Sequence, residues 1–291
     1  MSTELYDRGY YLGDCEGHED FRRTAGRRLG RRLKKCLALL QPQPGERIVD
    51  IGSGRGELSL HVAALGAESL AIDSSAAALH LAREAATAWN LGATGGRLAL
   101  VRARGESLPV VDGWADAGLL VDVVEHIEAE PLQRLLAEMF RLLRPGGRLV
   151  VHTSPNRHLV QFTVPVLSSI AFLWGARLPR DLRQEMTPGT GADYHPNEQS
   201  RRGLGRVLRS VGFDVEELWL EGSYPLHRIF GDSAIKRFLL PHFRRRLWLK
   251  ELFASQIFAC ARKPAGAIAA QSTRAAEAEA PSQAPSRLET D

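Results

Sequence analysis

Between residues 45 and 155, short apolar runs alternate with longer stretches of helical periodicity. Ile48, Val49 and Ile51 are apolar and β-branched, as a strand buried on both faces requires. A second short run, Ser69-Leu-Ala-Ile, ends in Asp73. A third covers 117–121, between Asp116 and Asp122, and a fourth covers 148–152. Helical patterns over 76–88 and 131–143 fill the intervals. Strand, helix and strand in repetition predict an α/β fold around a parallel sheet. Further along, 213–220 and 255–262 read as two more strands, with a helix over 200–211 closed by Gly212.

The first strand runs straight into a glycine turn, Asp50-Ile-Gly52-Ser53-Gly54-Arg-Gly56-Glu57. Glycines there let the backbone take positive φ and approach a ligand with no Cβ in the way. The dinucleotide spacing G-x-G-x-x-G would need a small residue at 57, where Glu57 stands. An acid two residues before the first glycine suits a cationic or hydroxyl-bearing ligand better than a pyrophosphate. Asp73 lies 17 residues beyond Gly56, which puts it at the carboxyl end of the neighbouring strand. A carboxylate there accepts hydrogen bonds from both ribose hydroxyls. It can equally cap the helix that follows.

The glycine turn resembles motif I of the class I S-adenosylmethionine (SAM) methyltransferases. Three later segments strengthen the likeness. They are Leu108-Pro109 with Asp112 and Asp116, then Asp122-Val-Val-Glu-His126 after the third strand, then Leu143-Arg-Pro-Gly-Gly-Arg-Leu-Val. Together the four elements cover about residues 45–155 and resemble the type 11 methyltransferase group. The resemblance implies a Rossmann-like, doubly wound, seven-stranded sheet, mostly parallel with an antiparallel last strand. It implies SAM as cofactor and a site made of Asp50, Gly52, Ser53, Gly54, Gly56, Asp73 and Ser74. Val121 and Asp122 would join from the third apolar run's end. In the family, residues just before the Leu-Pro meet the adenine. An acid often found there is Arg104 in this chain, so backbone groups of Arg104 and Gly105, or Glu106, take its place. No metal-ligand spacing occurs.

The remaining segments set the domain plan. Residues 1–44 hold Tyr10 and Tyr11, then a helix over 18–40 whose apolar stripe is Phe21, Ala25, Leu29, Leu33, Leu37 and Leu40. Eight Arg and Lys side chains between 22 and 35 fill its other faces. The resemblance implies that this segment covers the cofactor, with Tyr11 against it. An aromatic face near a sulfonium gains about 0.5–2 kcal/mol. Residues 45–263 form the SAM-binding domain, with substrate-side insertions at about 153–199 and 222–251. Residues 264–291 are rich in Ala, Ser, Glu, Gln and Pro and predict a disordered tail.

Composition narrows the function. The chain has 291 residues, 38 basic and 34 acidic side chains and three cysteines without disulfide or metal spacing. That charge balance is mild, no RNA-binding module is present, and the cysteines fit a reducing cytoplasm. No apolar run reaches the ~20 residues of a membrane span. The run 160–174 and the run 238–248 could form a lid, wall an acceptor pocket, or rest against a membrane surface. The sulfonium methyl is already electrophilic, so alignment and exclusion of water are the main tasks. A hydroxyl nucleophile also benefits from a base, and His126 and His195 are the candidates, with His152 behind them. The expected function is methyl transfer from SAM to a small, partly apolar acceptor, at oxygen. The alternatives are an RNA or protein methyltransferase docking through the basic helix, and a SAM-binding protein without turnover. The sequence leaves the oligomeric state open.

Overall fold

A computed structural model of the chain describes residues 6–89, 91, 95–173, 195–222 and 247–266. Seven strands form one sheet: β1 Arg47–Ile51, β2 Glu68–Asp73, β3 Arg97–Arg102, β4 Ala115–Val121, β5 Leu143–Thr153, β6 Asp214–Glu221 and β7 Gln256–Arg262. Their order is β3-β2-β1-β4-β5-β7-β6. The first five are parallel, and β7 runs antiparallel to both β5 and β6. The predicted α/β doubly wound sheet is therefore the observed one. Strand order reverses between β1 and β4, which opens a crevice at their carboxyl ends.

Alternation along the strands decides the layers. Val49, Leu120, Leu149 and Val151 face helices α5 Ala129–Leu142 and α7 Arg201–Val211, packing on Leu132, Leu136, Met139, Leu204 and Leu208. Ile48, Leu119 and Val150 face the other way, against α2 Arg31–Leu40 and α3 Glu57–Ala64, where Leu40, Leu58 and Val62 meet them. A third cluster joins Tyr11 and Phe21 to Leu60 and to Ala78, Leu81 and Ala85 of α4 Ala76–Trp89. Helix α7 starts with the Ser200 hydroxyl accepting from Gly203 N and ends at Gly212 with φ 111°. Those are the cap and stop that its sequence carries.

Two expectations change. The helix predicted over 18–40 is broken into α1 His18–Thr24 and α2. Ala25 and Gly26 take left-handed φ of 48° and 77°. The break lets one apolar stripe serve two places: Phe21 packs with Tyr11 and Leu60, while Leu29 and Leu40 pack under the sheet. Strand β5 starts at Leu143 rather than at 148, because Leu143 pairs with Ala115 and the register then jumps to Arg148 opposite Ala117. Residues 144–147 form the bulge between.

After β5, a wide helical turn, Leu159–Thr163, leads into α6 Val164–Leu173. The first is tied to α8 Leu247–Phe253 by the Thr163 hydroxyl, which donates to Leu252 O at 2.6 Å. Phe162 and Val166 are exposed. Among the described residues no helix is long and apolar enough to cross a membrane. Residues 223–246, with most of the second apolar run, and the predicted tail beyond residue 266 lie outside the described residues.

Candidate cofactor and acceptor site

A cavity of about 850 Å³ opens at the carboxyl ends of β1 to β4, roofed by residues 6–16. Its floor is the glycine turn. Gly52 N and Ser53 N both donate to Ile72 O, at 2.8 and 3.0 Å. Gly54 N donates to Asp73 Oδ2 at 2.8 Å. The turn is thus laced to the end of β2, and only positive φ at Gly52 and Gly54 allows it, 74° and 55°. At Gly52 a Cβ would lie 2.4 Å from Val123 Cγ2. Gly52→Ala should therefore cost roughly 2–4 kcal/mol, from left-handed strain plus overpacking. Chemical denaturation of the two proteins measures it, and an equal midpoint would contradict the turn described here.

Asp73 is buried and keeps lone pairs for a ligand. Its Oδ1 accepts from Ser75 N at 2.8 Å. Capping of α4 falls instead to Ser75, whose hydroxyl accepts from Ala78 N. Burial pushes the Asp73 carboxyl up, and the bonds from Ser75 and Gly54 hold it back. Asp50 is more deeply buried and accepts from the Ser59 hydroxyl at 2.6 Å. Burial drives its carboxyl up to about 7. A cationic group beside it would bring that value down again.

Asp122 has φ 56°, an uncommon conformation for a residue with a side chain. The twist aims its carboxylate at His152 Nδ1, 2.6 Å away, and at Arg32, 3.0 Å away. Burial alone would raise its carboxyl, but Arg32 and then His152 hold it well below the usual range. Arg32 comes from α2, also pairs with Glu16 and lines the cavity. Its Nε is buried with no hydrogen-bond partner among the described residues, as is Ser53 Oγ. Two unsatisfied donors together with the buried Asp50 and the partly exposed Asp122 suit a zwitterion such as the amino-acid end of SAM. Arg32 would hold the carboxylate, Asp50 and Asp122 the ammonium, and Asp73 the ribose.

Another stretch of the wall lies toward β3. Arg104, Gly105 and Glu106 line the cavity there. Arg104 is exposed, while Glu106 Oε2 accepts from Arg134 Nε and Nη2 at 3.1 and 2.9 Å. At the other end Tyr6, His126 and His195 meet. His126 closes the short 3-10 turn Val124–His126 after β4, and its ring lies 4.7 Å from that of His195 and 6.2 Å from that of Tyr6. Asn197 docks the His195 stretch by donating to Glu125 O at 3.1 Å and to Ile127 O at 2.9 Å. Glu125 lies beneath, fully buried, accepting from the Thr153 hydroxyl and Ser154 N. Burial and the Asp122 charge push its carboxyl up to about 8.

Most predicted site residues thus meet in one cavity: Asp50, Gly52, Ser53, Gly54, Asp73, Ser74, Arg104, Gly105, Glu106, Val121, Asp122, Tyr11, His126 and His195. Gly56 does not face it. With φ 75° and a Cβ position 2.9 Å from Ala82 Cβ, Gly56 serves the packing of α3 on α4. His152 is fully buried behind Asp122 and forms no part of the wall. Among the described residues of the apolar run after β5 none lines the cavity, and Leu159, Val160 and Val164 cluster with one another. Sequence reasoning missed Arg32, Arg55, Glu125 and Asn197. Arg32 was one of eight basic residues on a helix whose break was not foreseen. Arg55, inside the glycine turn and two residues before Glu57, was in plain view.

Residues 49–151 match the family of methyltransferase domains of type 11. Over those residues, about a third of the chain, it is similar to class I SAM-dependent methyltransferases. SAM is the cofactor of that family. Over 127 residues the chain is 37% identical to the 23S rRNA (uracil(1939)-C(5))-methyltransferase of Acidithiobacillus ferrooxidans, covering 43% of this chain and 26% of that protein. Over 163 residues it is 31% identical to the ubiquinone biosynthesis O-methyltransferase of Ruegeria pomeroyi, covering 56% of this chain and 62% of that one. The chain therefore spans about a quarter of the first relative and under two thirds of the second. The chain also superposes on a solved structure of geranyl diphosphate methyltransferase in complex with SAM. The TM-score is 0.53 at 19% identity, covering 87% of this chain and 94% of that one. At that identity the likeness is one of fold.

Proposed function

We propose that this protein transfers the methyl group of SAM to a hydroxyl of a small, partly apolar acceptor. The observation that carries the reading is the His126–His195 pair, which shares one cavity with Asp73 and the glycine turn. SAM supplies the electrophilic methyl. The chain holds the cofactor through Asp73, Arg32, Asp50 and Asp122, and residues 6–16 keep water from the roof. As the acceptor oxygen bonds to the methyl carbon and the carbon–sulfur bond breaks, the hydroxyl proton passes to an imidazole of the pair. The likeness to a ubiquinone-pathway O-methyltransferase supports a small acceptor methylated at oxygen.

The test is incubation with trideuteromethyl-labelled SAM and a set of phenolic, catecholic and alcoholic acceptors. Mass spectrometry should find labelled ethers together with S-adenosylhomocysteine. For an acceptor so found, His126→Ala with His195→Ala should lower kcat roughly 100- to 10,000-fold and leave SAM affinity intact. Unchanged turnover in that double variant would reduce both histidines to packing. Label on carbon or nitrogen alone would reject O-methylation.

A second reading, an RNA acceptor, draws on the rRNA-modifying relative and on the exposed Arg22, Arg23, Arg27, Arg28 and Arg31 around the α1–α2 break. RNA docking by those side chains would make binding fall steeply with salt, by about 0.7 log units per phosphate contact for each tenfold rise. Retention on RNA that ignores salt, or is absent, rejects it.

A further inference from the structure

Arg55 stands between Gly54 and Gly56, in the turn that forms the floor of the cavity, yet its side chain works on the roof. Its guanidinium is buried, at 3% exposure for the residue. Nη1 donates to Tyr11 O at 2.7 Å, and Nη2 donates to Glu16 O at 2.8 Å. Nε and Nη2 also meet the Glu57 carboxylate, at 3.1 and 3.2 Å. The plane of charge sits 4.8 Å from the ring of Phe21 in α1. A buried charge of this kind persists only when it is paired and hydrogen-bonded, and Arg55 has both kinds of partner.

The roof is built to accept that hold. Residues 10–14 form one wide helical turn, with Cys15 N donating to Tyr10 O at 2.9 Å and Tyr10 N to Asp7 Oδ1 at 2.8 Å. The turn is therefore a unit that can move as a body. Tyr11 O inside the turn and Glu16 O just after it are the two carbonyls that Arg55 takes. The Ser75 hydroxyl takes Tyr6 O at 2.7 Å, from beside Asp73. Tyr11 itself comes down on the floor, with Cε1 3.7 Å from the Cβ position of Gly54. Floor and roof are therefore joined through the same residues that form the turn.

We infer that Arg55 is a latch. It ties closure of residues 6–16 over the cofactor to the conformation of the glycine turn, so that cofactor exchange requires Arg55 to release the Tyr11 and Glu16 carbonyls. Arg55 is a positioning residue in this scheme and does not touch the reacting atoms. Glu57 sets the guanidinium in place, so the acid that makes a dinucleotide fingerprint impossible here has its own task. The inference rests on the reading of the cavity as a SAM site.

Stopped-flow binding of S-adenosylhomocysteine and hydrogen exchange of residues 6–16 test it in the full chain. In the wild-type protein, ligand should slow exchange across 6–16. In Arg55→Lys and Arg55→Ala, release of S-adenosylhomocysteine should accelerate by roughly tenfold or more, and ligand should no longer protect those amides. Melting curves run alongside separate this from general destabilisation, and if Arg55→Ala fails to fold, Arg55→Lys decides. Glu84→Ala, which cuts the exposed Arg8–Glu84 ion pair at the far edge of the roof, should leave release unchanged. A lower melting temperature with release within about twofold of wild type, and protection intact, overturns the latch while leaving the cofactor site standing. Failure of the wild-type protein to bind S-adenosylhomocysteine overturns both.

Discussion

Replacing Asp73 by Ala should weaken SAM binding by about 2–4 kcal/mol, roughly 30- to 1,000-fold in Kd. The carboxylate stands at the end of β2, buried, with one oxygen accepting from Gly54 N and the other from Ser75 N. Each oxygen retains a lone pair for a ribose hydroxyl, and bonds to an ionised acceptor are the strong ones. The Ala variant loses both ligand bonds and also leaves Gly54 N without its acceptor, so the glycine turn loosens together with the ribose contact. Asp73→Asn keeps one acceptor oxygen and should fall between. Titration calorimetry with SAM and with S-adenosylhomocysteine reads the effect directly. NAD should not bind, because Glu57 occupies the position where a dinucleotide fold needs a small side chain. Unchanged SAM affinity in the Ala variant, or tight NAD binding by the wild type, would remove Asp73 from the cofactor site.

The half of this cavity built on the glycine turn and Asp73 was legible from the sequence because it is local. Strand, turn and helix follow one another from Arg47 to Ala64, and Asp73 ends the next strand, so spacing alone places them side by side. The roof and the acceptor end depend on distant segments. Arg32 reaches Asp122 only because α1 and α2 are separate helices, and nothing in the spacing of the apolar residues requires the left-handed residue at Ala25. His195 meets His126 only because Asn197 clips its segment to the carbonyls of Glu125 and Ile127. Such backbone clips leave no periodic trace. The apolar run after β5 shows what apolarity leaves open. Leu159, Val160 and Val164 pack on one another and Thr163 is held by α8, while Phe162 and Val166 stay exposed. Gly56 shows the same limit within a motif: its positive φ follows from the turn, but it packs against Ala82 and does not line the cavity.

Glu125→Gln should make the protein more stable above pH 8 and change little at pH 5. In the fold the Glu125 carboxyl lies near 8, raised by burial and by the neighbouring Asp122 charge, against about 4.3 in an unfolded chain. Between those values the folded state holds a proton that the unfolded state has released. Stability therefore falls as pH rises through that window, and the whole penalty is present once pH exceeds 8. A neutral Gln carries no such penalty at any pH. It has nearly the same volume and keeps an acceptor for the Thr153 hydroxyl. The difference between variant and wild type should grow from about 1 kcal/mol or less at pH 5 to roughly 2–5 kcal/mol at pH 9. For a domain of this size that is about 4–20 °C in melting temperature. Asp50, raised to about 7, slopes the same way and is present in both proteins, so it leaves the difference untouched. Scanning calorimetry across pH 5–9 makes the comparison. A gap that stays constant with pH would mean that Glu125 is already ionised in the fold. That wall of the cavity would then hold two adjacent negative charges, Asp122 and Glu125, with Arg32 as the cation paired to the first of them.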